Sequence, residues 1–141
     1  MKTYEILQRK GTDVHSISPS ASINDVVNKL VAHNCGSLLV MRDGLLVGII
    51  TERDILRCCA NDDRALKDIP VSDKMTSRLV TASPADSVSD IMRLMTQNRI
   101  RHLPIVEGDE LAGLVSIGDT VKAQHDELSM ENEYLKSYLQ G

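Results

Sequence analysis

The sequence predicts an α/β protein: two copies of a β-α-β-β-α unit in a pseudo-twofold pair, with a C-terminal helix after the second copy. The first observation is that residues 14–57 repeat at residues 79–122, displaced by 65 positions without a gap. The second is that strand-like and helix-like patterns alternate in the same order in both copies. Since an open solenoid needs about three repeats or more, the two copies are expected to bury their apolar faces against each other and to leave clefts for a small ligand.

The first copy begins with a short strand candidate and continues into a helix that Ser22 is placed to cap. After Ser22, apolar residues recur at helical spacing and form one stripe. Two apolar runs joined by Arg42-Asp43-Gly44 predict a hairpin, and a second helix begins at Thr51 with Ile55 and Leu56 expected to turn inward. These elements cover residues 14–17, 22–31, 37–41, 45–50 and 51 onward.

The second copy has the same order of elements: a strand at 79–82, a helix from Ser87, a hairpin of 102–106 and 111–116, and a helix from about residue 117. We expect four segments along the chain. They are the first repeat with a short lead-in helix (1–60), a polar linker (61–73), the second repeat (74–124) and a helical tail (125–141).

The tail has the spacing of a short coiled-coil seam. No glycine or proline occurs between Asp119 and Gln140, and Val121, Leu128 and Leu135 follow one another at intervals of seven. Three further residues, His125, Asn132 and Leu139, each come four positions later. Two interpretations remain open at this point: a helix that folds back on its own module, or a contact between two copies of the chain.

Composition excludes several classes of partner. The net charge is −4, and aromatic residues make up 2% of the chain with no Phe or Trp, so neither a basic surface nor base stacking favours nucleic acid. No run approaches 18 apolar residues, and the opening segment has no apolar signal-peptide core, so we expect a cytoplasmic protein without a membrane span.

The three cysteines are interpreted as small apolar residues of a reducing compartment. A zinc site from His33, Cys35, Cys58 and Cys59 is disfavoured, because the set has no C-x₂-C unit and adjacent cysteines are awkward tetrahedral ligands. We therefore expect no metal.

A Ser/Thr-x-x-Asp pattern begins four predicted helices, and capping of the helix N-terminus accounts for all four. Two of them carry something more, because each follows a buried-looking strand and has glycine three residues before the hydroxyl. They read Gly48-Ile-Ile-Thr51-Glu-Arg-Asp54 and Gly113-Leu-Val-Ser116-Ile-Gly-Asp119. Glycine allows close approach of a ligand, a helix N-terminus suits a phosphate, and a carboxylate accepts both hydroxyls of a ribose. Capping and ligand binding both remain open.

The duplicated unit with two copies of this motif in register, together with RHLPIV at 101–106, resembles the paired cystathionine-β-synthase (CBS) domain module over residues 11–124. The resemblance implies binding of an adenosine-containing ligand such as AMP, ADP, ATP, NAD or S-adenosylmethionine in clefts between the repeats. Asp54 and Asp119 would hold ribose hydroxyls, and Thr51 and Ser116 would contact ribose or phosphate. The remaining ligand candidates are residues near each first strand and each hairpin: Val14, Ser16, Ile17, Gly36, Ser37, Leu79, Thr81, Ala82 and Pro104.

The basic residues that the resemblance assigns to phosphate differ between the copies. Arg101 and His102 of the second repeat correspond to Gly36 and Ser37 of the first, and Arg53 corresponds to Gly118. We therefore expect two unequal sites.

The function expected from the sequence is a regulatory sensor of adenine nucleotides that acts through a homodimer on an unknown effector protein. No nucleophile, base and orienting group occur together in the pattern, so no enzyme activity and no catalytic cofactor are expected. The alternative is a non-enzymatic interaction module with degenerate clefts.

Overall fold

The computed structural model describes residues 1–140, and within them the chain forms six α-helices and five β-strands. The residues group into two compact units, residues 13–79 and residues 1–12 with those from 80 onward. Each unit has an apolar core of its own.

The unit of residues 13–79 contains a three-stranded sheet in the order β1-β2-β3, with β1 parallel to β2 and β2 antiparallel to β3. Asp43 and Gly44 form the hairpin turn, both with positive φ, as the two central residues of a type I′ turn require. The elements are β1 (Ser16–Ile17), α2 (Ile23–His33), β2 (Ser37–Arg42), β3 (Leu45–Thr51), α3 (Glu52–Asn61), a 3₁₀ turn (Leu66–Asp68) and α4 (Val71–Lys74). The predicted hairpin and both predicted helices are confirmed.

The core of this unit lies between the sheet and Ile23, Val26 and Leu30 of the predicted α2 stripe, whereas Val31, which was predicted in the same stripe, is 76% exposed. Ile23 and Val26 are fully buried, and Leu38, Val40 and Ile50 meet them from the sheet. Each such side chain contributes about 1.5–3 kcal/mol to stability on full burial. The α2 stripe therefore fixes which face of the sheet is covered.

Two expectations about this unit are wrong in detail. Leu56 is 72% exposed, because α3 turns Ile55 and Cys58 toward the core and Leu56 lies on another face. The segment expected to be only a polar linker contributes Ile69 and Val71, both fully buried, to the same core.

The other unit contains the hairpin of the second repeat, with β4 antiparallel to β5. Its core includes Ile91, Leu103 and Val115. Its elements are α1 (Thr3–Lys10), α5 (Val88–Asn98), β4 (His102–Glu107), β5 (Glu110–Ser116) and α6 (Ile117–Gln140).

The strand expected at residues 79–82 is reduced to one bridge between Ala82 and Ile105. Proline explains the loss. In the first repeat the amide of Leu39 donates to the carbonyl of His15 at 3.1 Å, and the residue 65 positions after Leu39 is Pro104, which has no N–H to donate.

The lead-in helix α1 packs with the second repeat, although the expected division of the chain grouped it with residues 1–60. Ile6 and Leu7 are 4% and 6% exposed in the core that contains Ile91 and Leu103. The amide of Thr3 also donates to the carbonyl of Asp86 at 2.9 Å. Burial of this apolar pair makes α1 part of the unit that contains the second repeat.

The helix α6 is buried only near its start. Thr120 and Ala123 are buried, whereas residues 127–140 are all exposed. The interpretation of the tail as a helix folded back on its own module is therefore wrong.

The glycines of the two motifs make room for parts of the protein itself. A Cβ added to Gly48 meets Met75 Sδ at 2.7 Å and the carbonyl oxygen of Thr76 at 3.0 Å, whereas the three atoms nearest to one added at Gly113 all belong to the Leu7 side chain, the closest at 2.7 Å. Close packing of Met75 and Thr76 against Gly48, and of Leu7 against Gly113, thus accounts for both glycines, whereas the motif alone predicts close approach of a ligand.

Because Gly48 and Gly113 have different neighbours, replacing each with alanine should destabilise the protein by different amounts. Gly48→Ala should lower the free energy of unfolding by about 1–3 kcal/mol, because a backbone carbonyl stands in the way. Gly113→Ala should cost less, since the end of the Leu7 side chain can rotate aside. Chemical denaturation of both variants measures the difference, and a larger loss for Gly113→Ala would contradict this account.

Candidate functional site

All four Ser/Thr-x-x-Asp pairs make helix-capping hydrogen bonds. The Ser22 hydroxyl accepts from the Asp25 amide at 3.1 Å, and the Asp25 carboxylate accepts from the Ser22 amide at 3.0 Å. Ser87 accepts from the Asp90 amide at 3.0 Å. The remaining pairs, Thr51 with Asp54 and Ser116 with Asp119, have the reciprocal arrangement. The capping role expected from the sequence is confirmed.

The pairs that begin α3 and α6 differ from the other two in their surroundings. Thr51, Asp54, Ser116 and Asp119 are all half-buried, whereas the bonds that cap α2 and α5 are exposed. In each case the first amide of the helix also donates to the segment before the neighbouring strand. Glu52 donates to the carbonyl of Gly36 at 3.0 Å, and Ile117 donates to the carbonyl of Arg101 at 2.9 Å.

The first repeat brings five of its predicted site residues together. Ser37 lies opposite Thr51 in the β2–β3 register, with Gly36 next to it. Asp54 Oδ2 accepts from the Thr51 amide at 2.9 Å, and the Thr51 hydroxyl lies 3.1 Å from the same oxygen. Arg53 lies between the pair on the first turn of α3 and is exposed. The junction of β3 and α3 thus presents a hydroxyl, a carboxylate and a cation.

The second repeat has the same arrangement, with Arg101 beside His102 and His102 opposite Ser116. Asp119 Oδ2 accepts from the Ser116 amide at 2.8 Å. It also receives a second donor, Lys10 Nζ at 2.6 Å, and the same ammonium donates to the carbonyl of Leu114 at 2.8 Å. Lys10 was not among the residues predicted from the sequence. It lies 109 positions from Asp119, and no local spacing connects the two.

The electrostatics of Asp119 follow from these contacts. Burial raises the pKa of its carboxyl, but the hydrogen bonds from Lys10 and from the Ser116 amide outweigh burial, so that the pKa lies below its ordinary value. Asp119 is therefore a carboxylate held in an ion pair.

The remaining candidates lie near the first strand of each repeat. Ser16 and Ile17 form β1 opposite Leu39 and Val40, and the Ser16 carbonyl accepts from Lys29 Nζ. The Ala82 amide donates to the carbonyl of Pro104 at 3.1 Å, which places these two candidates together. Three candidates, Val14, Leu79 and Thr81, lie outside any strand.

The family model for the CBS domain matches residues 5–61 and 66–126, which is two copies over most of the chain. The chain belongs to the CBS-domain family. The two matched copies are the two repeats found by internal comparison, and CBS-domain pairs are regulatory modules that generally bind adenosine-containing ligands.

Known CBS-domain proteins resemble this one along most of its length. The mitochondrial CBS domain-containing protein CBSX3 of Arabidopsis thaliana is 42% identical over 125 residues, which are 85% of this chain and 61% of that protein. YhcV of Bacillus subtilis is 37% identical over 91% of this chain and 87% of its own length. A crystal structure of a CBS-domain protein from Agrobacterium tumefaciens, 38% identical, matches 88% of this chain and 99% of its own with a TM-score of 0.84.

Residues 1–140 were also compared with the requirements of a membrane span and of a metal site. No helix in this range has the length and apolar character to cross a bilayer. Within the same residues, no group of three or more His, Cys, Asp and Glu side chains is placed to hold a metal ion.

The Lys10–Asp119 pair predicts a pH-dependent stability. A carboxyl with a lowered pKa in the folded state stabilises above its unfolded pKa, about 3.9, and this stabilisation is lost as pH falls through the folded pKa. Lys10→Met should therefore lower the free energy of unfolding at pH 7 by up to about 1 kcal/mol. The part due to Asp119 should shrink as pH falls below about 4.

Urea denaturation between pH 2 and pH 7 measures this difference. Arg9→Met is the matched control, because Arg9 lies on the same helix and pairs with Asp126 instead, at 3.7 Å. A loss for Lys10→Met that stays constant from pH 7 to pH 2 would show that Asp119 is not involved.

Proposed function

We propose that this CBS-domain protein is a regulatory sensor that binds adenosine-containing ligands, such as AMP, ADP, ATP, NAD or S-adenosylmethionine, and acts without catalysing a reaction. The observation that carries the proposal is the pair of half-buried hydroxyl–carboxylate junctions, Thr51 with Asp54 and Ser116 with Asp119, in a chain with two CBS-domain matches.

The chemistry of these junctions suits a nucleoside. A carboxylate accepts hydrogen bonds from two neighbouring ribose hydroxyls, and charged acceptors make bonds stronger than neutral ones. The N-terminus of α3 adds partial positive charge, which favours a phosphate. Capping and ligand binding are compatible, since a carboxylate has about four acceptor positions and capping uses only part of them.

The other predicted site residues complete this proposal. Arg101, His102 and Arg53 are proposed to contact phosphate, because they are basic side chains beside or within the motifs. The adenine is proposed to lie against the small and aliphatic residues of each first strand and hairpin, which are Val14, Ser16, Ile17, Gly36, Ser37, Leu79, Thr81, Ala82 and Pro104.

Asp54→Ala tests the ribose assignment. The variant should weaken binding of the adenine nucleotide by roughly 1.5–3 kcal/mol, because a charge-assisted hydrogen bond to ribose is lost. Asp25→Ala is the matched control: it removes a capping aspartate of the same repeat and should cost about 1 kcal/mol of stability without changing affinity.

Calorimetry with AMP, ADP, ATP, NAD and S-adenosylmethionine measures both variants against the unaltered protein. A ligand at a hundredfold excess over its Kd should also stabilise the fold by about 2.7 kcal/mol. If no ligand of this panel binds at millimolar concentration, the sensor function is wrong and an interaction module with degenerate clefts replaces it.

We further propose that the sensor works as a homodimer in which the exposed part of α6 pairs with the same helix of a second copy. Beyond Ala123 this helix continues for about 25 Å, and Leu128, Leu135 and Leu139 are 60%, 56% and 82% exposed. A helix of this length is marginally stable in water by itself, so an apolar partner is expected.

Charge complementarity favours a second copy in parallel orientation. If Leu128 and Leu135 take the d positions, Glu131 takes a g position and Lys136 the following e position, where the two side chains attract each other across a parallel pair. Asn132 takes an a position, at which a polar residue specifies register. Pairing with a second copy thus buries the apolar residues of the stripe and places each flanking charge beside an opposite charge.

Deleting residues 127–141 should weaken the dimer more than tenfold without abolishing nucleotide binding, because each buried leucine contributes about 1.5 kcal/mol or more. Sedimentation at several concentrations, with calorimetry on the same protein, measures both effects.

A matched pair of variants separates the seam from the rest of the helix surface. Leu128→Ala with Leu135→Ala should weaken the dimer, whereas Met130→Ala with Tyr134→Ala should not, although Met130 and Tyr134 are 64% and 71% exposed. Equal effects of the two pairs would contradict the proposed seam, and a full-length monomer at tens of micromolar would contradict the dimer.

The output of such a sensor is proposed to be an effector protein that distinguishes the filled dimer from the empty one, since a ligand shifts a population only by binding one state better. A cytoplasmic location belongs to the same proposal. Cys35, Cys58 and Cys59 are free thiols, as expected in a reducing compartment.

A further inference from the structure

One short helix contacts each repeat in a corresponding way, α4 the first repeat and α1 the second, and both are called lead-in helices below. The amides of Val71 and Ser72 donate to the carbonyls of Ala21 and Pro19 in the first repeat, and those of Thr3 and Tyr4 donate to Asp86 and Pro84 in the second. The helix α4 packs over Gly48 through Met75, and α1 packs over Gly113 through Leu7. Leu7 and Met75 thus hold equivalent places.

The lead-in segments diverge after this point. The helix α4 ends at Lys74, and the chain then pairs with β3, where the Thr76 amide donates to the carbonyl of Ile49 at 2.9 Å. The helix α1 continues for three more residues after Leu7 and ends at Lys10. Leu114, the residue that corresponds to Ile49, accepts from Lys10 Nζ instead of from a backbone amide.

The extra turn of α1 places an ammonium group at only one of the two motifs. Lys10 reaches Asp119 at 2.6 Å, with the two side chains 34% and 25% exposed. The lysine of the other lead-in helix, Lys74, pairs with Asp62 at 3.0 Å. A nucleoside at Asp119 therefore meets a carboxylate whose Oδ2 already accepts from a charged donor, whereas the lysine of α4 pairs with Asp62 and not with Asp54.

We propose that Lys10 is an intramolecular competitor for Asp119, so that the motif of the first repeat binds nucleotide at lower concentration and the motif of the second repeat binds more weakly while the Lys10–Asp119 pair is formed. This inference rests on the proposed function. It makes Lys10 the residue that sets the difference in affinity between two otherwise similar sites.

The competition has a simple physical basis. Lys10 Nζ and a ribose hydroxyl are both donors, and both seek the same carboxylate. The ion pair is already formed within the folded protein, so its loss adds to the cost of binding at Asp119. The pKa of Asp119 lies below its ordinary value, as expected for a carboxylate that already accepts hydrogen bonds from Lys10 and from the Ser116 amide.

Calorimetry of the full chain with AMP, and with ATP and NAD as parallel probes, tests the proposal. The unaltered protein should bind a first nucleotide per chain more tightly than a second, and Lys10→Met should bring the two affinities closer together. In the background of Asp54→Ala, adding Lys10→Met should tighten binding at the remaining site about two- to fivefold, because a partly exposed ion pair is a weak competitor. Adding Asp119→Ala to that double variant should abolish the gain.

Arg9→Met serves as the matched control. Arg9 is the residue before Lys10 on the same helix, but its positive charge pairs with Asp126 and not with Asp119. It should leave the number of bound nucleotides and their affinities unchanged. The proposal fails if Asp54→Ala binds equally well with and without Lys10→Met, or if Arg9→Met gives the same gain. Loss of binding on Asp54→Ala together with no effect of Lys10→Met would overturn this inference and leave the proposed function intact. Absence of binding to every protein would overturn both.

Discussion

The reciprocal hydrogen bonds between a hydroxyl and an aspartate at the ends of β3 and β5 are the interaction on which the rest of this structure depends. They stop each strand, begin the following helix and hold a carboxylate at the junction. A cap of this kind contributes about 1 kcal/mol. Its larger consequence is geometric, because the carboxylate is half-buried and fixed in direction by two groups of its own backbone turn.

Duplication gives the protein two such junctions, and the lead-in helices make them different. Ile6 and Leu7 bury α1 in the core of the second repeat, and the same burial carries Lys10 to Asp119. The shorter α4 is held by a network in which Arg64 and Lys74 both contact Asp62. Hydrogen bonds from Arg64 keep the pKa of Asp62 below its ordinary value. Two sequence copies thus acquire different electrostatics from segments outside the repeated motif.

Most of the fold could be predicted from the sequence because its signals are local. The apolar stripe of α2, the turn at Asp43 and Gly44 and the four caps each depend on residues a few positions apart. The loss of the first strand of the second repeat could in part be predicted from the sequence, since Pro104 has no N–H for a ladder hydrogen bond. That prediction requires knowing which two strands pair.

The features that sequence reasoning missed are contacts between distant residues. No spacing in the sequence connects Lys10 with Asp119, or Met75 with Gly48. The repeat against which α1 packs is likewise decided by burial of Ile6 and Leu7 in a core of distant residues. Leu56 was misjudged for a related reason: its apolar character suits either a core or an interface, and only the position of Ile55 and Cys58 shows which face of α3 is covered. The motif indicates the site residues of each repeat, and the unequal positions of Arg101, His102 and Arg53 already predict unequal sites. The ion pair of Lys10 with Asp119 could be seen only in the structure.

The most direct test of unequal junctions is a residue-resolved titration of the full chain with AMP, followed by the ¹H–¹⁵N signals of the backbone amides. The amide signals of Thr51 and Asp54 should shift first and reach saturation, and those of Ser116 and Asp119 should shift only at higher concentration. Signals of both groups that follow one common binding curve, or an absence of shifts at Thr51 and Asp54, would contradict the account.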